Sequence, residues 1–332
     1  MVACHERAPR LTRAVFSMSV VTALFVSACA RDSRGPTVRG AGASLSAPLV
    51  SRWAEAYVGP GRVDYRAIGS GGAAKFLEVG TIDFGVRDVP LTSVERTRVQ
   101  VPLVEVPVAH GAIAVAANLP GVSDLRLGRA TLAGIFSGDI NRWNDPAIAH
   151  DNPSSPLPDL PIFRVHRTDA SGTLRLFTEY VAASSPTFAE RVGTGESPRF
   201  PNAVRAKGTD GVARALKATR GSLGVLELGI ARNSGLAVAS LEDARGTFVA
   251  PTALGSPATT YPLVSTVYVL VPTDTSPRTK VVLSFVRWSL TEGQGLLAGG
   301  AKLATLDFGP LSEDERTRSL ALLDARTPEA VP

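Results

Sequence analysis

Short β-rich runs take turns with helix-period segments along nearly the whole chain, and this alternation confines it to an α/β architecture. A helix is predicted over Pro48–Tyr57, with Leu49, Trp53 and Tyr57 on one face, followed by a strand over Val63–Ile68 and a helix over Ala73–Val79. Ile82–Phe84 reads as a strand, Thr92–Val99 as a helix, and Val104–Val108 and Ala112–Ala117 as two further strands. A second set opens at Leu132–Phe136 and continues with a proline-dense loop over Pro153–Pro161, a strand over Ile162–His166 and a helix over Ser171–Ala183. The pattern then gives a helix over Asp210–Ala218, a strand over Leu223–Leu226 and a helix over Glu227–Asn233. Leu263–Val271 is the last strong strand, with helices over Lys280–Leu290 and Ser312–Leu323 behind it. Such an order predicts mostly parallel sheets covered on both faces, with ligands outside the carboxyl ends of the strands.

The first residues read differently. Arg7, Arg10 and Arg13 precede a short apolar run, Ala14–Val26, which closes on Val26-Ser27-Ala28-Cys29. That is the pattern of a secretory signal over residues 1–28, and its end resembles the bacterial lipobox, whose cysteine receives a diacylglycerol. Cys29 is therefore expected to be lipidated, and residues 29–37, polar and holding Gly35 and Pro36, to form a short tether. With Cys4 removed and Cys29 capped, no thiol remains for a disulfide. Two acyl chains hold a protein firmly where one is marginal, so the expected place is the periplasm or cell surface, anchored to a membrane. After the signal no stretch reaches the roughly 20 apolar residues that a spanning helix needs. At 332 residues and 44% hydrophobic the chain can fill two domains. Its formal charge of +5 is spread among acidic residues, which argues against a nucleic-acid partner.

Three segments place glycine and hydroxyl residues where a strand or turn hands over to a helix: Gly40–Ser46, Gly69–Gly72 and Asp169–Thr173. A helix N-terminus presents unpaired N–H groups and the positive end of the macrodipole, so it attracts anions without a formal charge. Each segment alone is more often an ordinary helix cap than a ligand site. Arg167, at the end of a predicted strand, adds a guanidinium suited to an oxyanion, with Asp169 placed to orient it. Asp88 reads as a turn residue before Pro90 or as an acceptor for a ligand hydroxyl. An ionised carboxylate accepts a hydrogen bond from phosphate, which keeps a proton near neutral pH, and repels sulfate, which has none. Sites of that kind reject the wrong ligand by about 10⁴ or more.

Seven segments in order resemble the periplasmic phosphate-binding proteins of high-affinity phosphate ABC transporters, the PstS-like family. They are Gly40–Pro48, Ile68–Gly72, Ile82–Leu91, Ile140–Ile148, His166–Thr173, Val192–Gly195 and Lys207–Gly211, within a resemblance that extends from about Val38 to Leu306. The resemblance implies a two-lobe type II periplasmic binding protein fold with a two-strand hinge. Lobe 1 is then discontinuous, residues 38–116 and 266–332, and lobe 2 is 117–265, with crossings near Val115–Asn118 and Ser265–Val269. It implies phosphate held by Ser44, the backbone N–H of Leu45, Ser70, Asp88, Arg167, Ser171, Gly172 and Thr173, with Asp169 supporting Arg167. The implied partners are inorganic phosphate and the membrane permease subunits of the transporter, and a monomer is expected. The chain departs from the family at Leu45, Ser46, Gly71 and Ala170, and Arg87 stands beside Asp88 where a small residue is usual. Arg87 is expected to face solvent. A tyrosine-rich stretch usual near Val225–Ile230 is missing.

Other chemistries have less support. After the signal only His110, His150 and His166 are available as imidazole bases, none in a catalytic motif, so no catalytic residue and no cofactor is expected. Gly40–Leu45 lacks the third glycine of a dinucleotide fingerprint, and only Thr37–Arg39 precede it, too little for a strand. Asp83-Phe84-Gly85 lacks the rest of a kinase, and no His or Cys cluster has metal-ligand spacing. A surface recognition protein, or a binder of arsenate or sulfate on the same fold, is the remaining alternative; arsenate carries a hydroxyl that Asp88 accepts equally.

Overall fold

The computed structural model describes residues 2, 35–251, 260–298 and 307–325. Cys4, Cys29 and residues 29–34 of the expected tether lie outside the described residues, as does the expected signal apart from Val2. The strands in chain order are β1 (Thr37–Gly42), β2 (Arg62–Ala67), β3 (Phe84–Arg87), β4 (Leu103–Ala117), β5 (Leu125–Leu127) and β6 (Phe163–Arg167). They continue as β7 (Val204–Ala206), β8 (Ser222–Glu227), β9 (Ala237–Glu242), β10 (Phe248–Val249), β11 (Val264–Pro272) and β12 (Phe308–Gly309).

The main path of pairing runs β2-β1-β3-β11-β4-β8-β6-β7. At one end β1 pairs in parallel with β2 and β3, with helices Ala47–Ala56 and Ala73–Glu78 on the connections. At the other end β6 pairs in parallel with β7 and β8. Between them β11 and β4 run antiparallel to each other and to their outer neighbours. The sheet is therefore mixed rather than mostly parallel, because the chain crosses its middle once outward in β4 and once back in β11.

Two predicted strands merge into β4, whose 15 residues pair with β11 from Leu103↔Pro272 to Ala112↔Val264 and with β8 from Ile113↔Glu227 onward. The small residues Ala109, Gly111 and Ala112 had hidden that continuity. β1 corrects the reading that too little chain precedes Gly40 for a strand, and it takes Thr37 out of the tether. Its centre is glycine because the Phe84 ring lies over it, so that a Cβ on Gly40 would sit 2.0 Å from Phe84 Cζ. Helices Pro146–Asp151 and Pro186–Arg191 and the short strands β5, β7 and β9 carry no period long enough to read.

Each end of the path has its own aromatic packing. Tyr57 and Phe84 meet Phe285 edge-on or tilted, at ring distances of 5.4 and 5.9 Å, and the buried Trp53 indole donates to Gly293 O at 3.1 Å. Phe136 meets Phe177 and Phe200 at 4.8 and 5.1 Å, while Trp143, also buried, donates to Gly221 O at 2.9 Å. Buried indoles with satisfied N–H groups anchor both regions without a polar penalty. The carboxyl ends of β1, β2, β3 and β6 lead into the segments that carry the predicted anion ligands.

Candidate functional site

β3 delivers Asp88 to the site, and β1 and β2 deliver the turns before helix Ala47–Ala56 and before the short turn Ser70–Gly72. From the other end, β6 delivers Arg167 and the start of helix Gly172–Ala182, and β7 delivers the start of helix Gly208–Ala218. The two sets touch. Gly172 N–H donates to Ser70 Oγ at 3.4 Å, and the Ser70 hydroxyl donates to Asp88 Oδ2 at 3.3 Å. A Cβ on Gly172 would lie 3.1 Å from Asp88 Cβ, so only glycine lets the helix start come this close to the carboxylate. Ser44 Oγ lies 3.0 Å from Thr209 Oγ1 and accepts from the Thr209 N–H at 3.2 Å.

Arg167 is held by Asp169 in a two-point pair, Nε to Oδ1 at 2.9 Å and Nη2 to Oδ2, and Asp169 Oδ1 also accepts from Gly208 N–H at 2.9 Å. Two of the five guanidinium N–H bonds are used, which leaves three to face a ligand. Burial acts on Asp169 most strongly and would raise its pKa, but the Arg167 hydrogen bonds and charge together with Gly208 outweigh it and hold the carboxyl below its ordinary value. Gly69, at φ 97°, completes the seat, since a Cβ there would meet Asp169 Oδ2 at 2.6 Å.

Asp88 is 1% exposed, and burial raises its pKa to about 6 against the pull of Arg167, of the Ser46 and Ser70 hydroxyls and of Arg87. Its backbone carbonyl accepts from Ser265 Oγ at 2.6 Å, tying it to β11. Its Oδ1 has no partner, and neither have Ser46 Oγ and Thr173 Oγ1, all three buried; Ser46 is near enough to Asp88 to influence it without reaching hydrogen-bond geometry. A buried polar atom without a partner costs about 1–3 kcal/mol, so Asp88 Oδ1 and the Ser46 hydroxyl near it mark a place suited to something polar. Ser171 caps its helix by accepting from Leu174 N–H at 3.4 Å, and its own N–H donates to Glu196 O at 3.0 Å; its hydroxyl proton remains to serve a ligand. Leu45 is fully buried, which leaves only its main chain to serve one. A cavity of about 510 Å³ opens beside Ser44 and Thr209, with Lys207, Asp210 and Arg214 on its wall.

With this geometry in place the relatives are informative. Residues 27–292 match the family model described as the PBP superfamily domain. The chain is 34% identical over 294 residues to the phosphate-binding protein PstS of Xylella fastidiosa (strain Temecula1), covering 80% of each. It is 32% identical over 325 residues to PstS of Pasteurella multocida (strain Pm70), covering 89% of this chain and 92% of that one. The chain belongs to the PstS family. Among solved structures, a high affinity periplasmic phosphate-binding protein (PfluDING) bound with phosphate superposes with a TM-score of 0.66 at 21% identity, over 86% of this chain and 93% of that one. A phosphate binding protein from Stenotrophomonas maltophilia gives 0.65 at 19%, with the same coverage. These two likenesses concern the fold, which is that of the periplasmic binding proteins, as expected.

Within this PstS-family chain, sequence reasoning overlooked four participants and misplaced a fifth. Ser46, Thr209, Glu196 and Ser265 were given no role at the site; of these Ser46, in Gly40–Ser46, and Thr209, in Lys207–Gly211, lie at strand-to-helix handovers and carried a signal of the kind used for the other residues. Arg87 does not face solvent. Its side chain is 1% exposed, paired with Glu95 at 3.0 Å and Glu196 at 2.9 Å. All four residues of β3 are buried, so alternation along the strand could not tell its faces apart.

Proposed function

We propose that this chain captures one inorganic phosphate between two lobes outside the cytoplasmic membrane and hands it to the permease subunits of an ABC transporter. As a PstS-family member it is a substrate-binding protein and not an enzyme. The lobes are residues 38–116 with 266–332 and residues 117–265, hinged where β4 and β11 pass between them. Lipid on Cys29 holds the protein to the membrane, with residues 29–36 as leash, and it acts as a monomer.

One observation carries the reading. The Gly172 N–H meets Ser70 Oγ beside Asp88, whose buried Oδ1 has no partner; Arg167 is near enough to act on that carboxylate, and the adjoining Thr173 hydroxyl is buried without a partner. In that space Arg167 neutralises oxygen charge, Asp169 holds the guanidinium in place, and Asp88 accepts the ligand hydroxyl. Ser44, the Leu45 N–H, Ser70, Ser171, Gly172 and Thr173 donate to the remaining oxygens. The PstS names of the relatives support the same ligand. Asp88 excludes sulfate by this chemistry and accepts arsenate. Calorimetric titration with phosphate and with sulfate is the test: one phosphate per molecule and no sulfate response is expected, whereas equal responses, or none, remove the assignment.

A further inference from the structure

Arg87 is a second buried guanidinium beside Asp88, and its hydrogen bonds go to two backbone carbonyls and two glutamates. Nε donates to Val89 O at 3.2 Å, Nη1 to Ser70 O at 3.2 Å, and Nη2 to both Glu95 Oε1 and Glu196 Oε1. Glu95 belongs to the same lobe as Arg87 and follows it by eight residues, whereas Glu196 comes from the other lobe, 109 residues on. The two carboxylates are held differently. Glu95 closes a capping box with Thr92, and although burial would raise its pKa, the Thr92 N–H and the Arg87 charge bring it below its ordinary value. It is thus a standing partner of Arg87 whether or not the lobes meet. Burial raises the pKa of Glu196, Arg87 opposes the rise and Glu95 adds to it. Glu196 also accepts from the Ser171 N–H through its backbone carbonyl, so drawing Glu196 onto Arg87 draws the ligand helix start onto Asp88.

We propose that Arg87 and Glu196 form a latch across the cleft that favours the closed form and thereby sets how long the anion is retained. Arg87 is a positioning residue in this account, acting through its hydrogen bonds to the Ser70 and Val89 carbonyls. The proposal rests on the two-lobe reading above. An ion pair made only on closing shifts the open–closed equilibrium by its differential contribution, and the shift appears in the dissociation rate more than in selectivity.

The test compares the wild-type protein with Glu196→Gln, Arg87→Gln and the double variant, by phosphate calorimetry, stopped-flow dissociation and small-angle X-ray scattering without ligand. Glu196→Gln keeps the size of the side chain and leaves the Arg87–Glu95 pair in place. It is expected to weaken phosphate binding about tenfold through faster release. It is also expected to enlarge the ligand-free radius of gyration, with the phosphate-to-sulfate preference unchanged. The double variant should be no weaker than Arg87→Gln, as one shared contact requires. Wild-type affinity together with a wild-type radius in Glu196→Gln overturns the latch, and so do additive effects in the double variant. Absence of any phosphate response in the wild type removes the ligand assignment instead, and the ligand-free radius of Glu196→Gln then judges the latch alone.

Discussion

In the proposed site Asp88 is the residue on which discrimination depends, and its protonation sets a pH window. Its folded pKa of about 6 lies above its ordinary 3.8, so the folded, ligand-free state holds a proton that the unfolded state has released between those values. Stability from this group is therefore present at low pH and lost as pH rises to about 6, by roughly 3 kcal/mol at most. Denaturant unfolding from pH 4 to pH 7 should show that loss, and Asp88→Asn should flatten it; an unchanged slope in the variant contradicts the assignment. Ionised Asp88 can only accept, whereas below about pH 6 its protonated carboxyl can donate to a sulfate oxygen, so preference for phosphate should narrow in acid. Asp88, Arg167 and Asp169 were singled out in the sequence because each carries charge at or just past the end of a strand reading. Arg87 was not legible: its partner Glu196 is 109 residues away, and the chain offers no local cue to such a pairing.

At the scale of elements, the proposed lobes meet at Gly71 across from Ala170, where side chains are small or missing. A Cβ on Gly71 would lie 2.5 Å from Ala170 Cβ and 2.6 Å from Glu196 Oε2. The glutamate tip can swing aside, but the alanine methyl on a turn cannot, so Gly71→Ser should hold the two surfaces apart. Overpacking of this kind costs about 1–3 kcal/mol, and phosphate affinity should fall by roughly ten- to a hundredfold in calorimetry. Ala170→Gly in the same background should recover most of it; Gly71→Ser binding like the wild type would show that this contact is absent from the loaded form. The same economy of side chains explains where the element reading failed. β1 was missed because Gly40 and Gly42 leave no hydrophobic alternation, and β4 was divided in two at Gly111. Long, strongly periodic segments such as Pro48–Tyr57 and Lys280–Leu290 were read almost to their observed bounds, Ala47–Ala56 and Pro277–Leu290, because packing of one apolar face fixes both pattern and helix.

For the whole molecule, the order of alternating elements was enough to give an α/β class, and the seven motif segments gave the periplasmic binding protein fold. Neither could supply the pairing path, since the antiparallel passage of β4 beside β11 depends on residues more than 150 positions apart. That passage links fold to the proposed function, because it sets Asp88 from one parallel cluster near Gly172 and Arg167 from the other. Each cluster has its own aromatic packing, so the proposed ligand space lies between two separately braced surfaces. A crystal structure of the purified protein grown with phosphate tests this most directly. The account predicts one phosphate with an oxygen on Asp88 Oδ1, further oxygens on Arg167 and Thr173 Oγ1, and Asp169 still paired to Arg167. A phosphate bound elsewhere, or a loaded cleft in which Asp88 stays more than about 5 Å from every phosphate oxygen, well past hydrogen-bond reach, would contradict it.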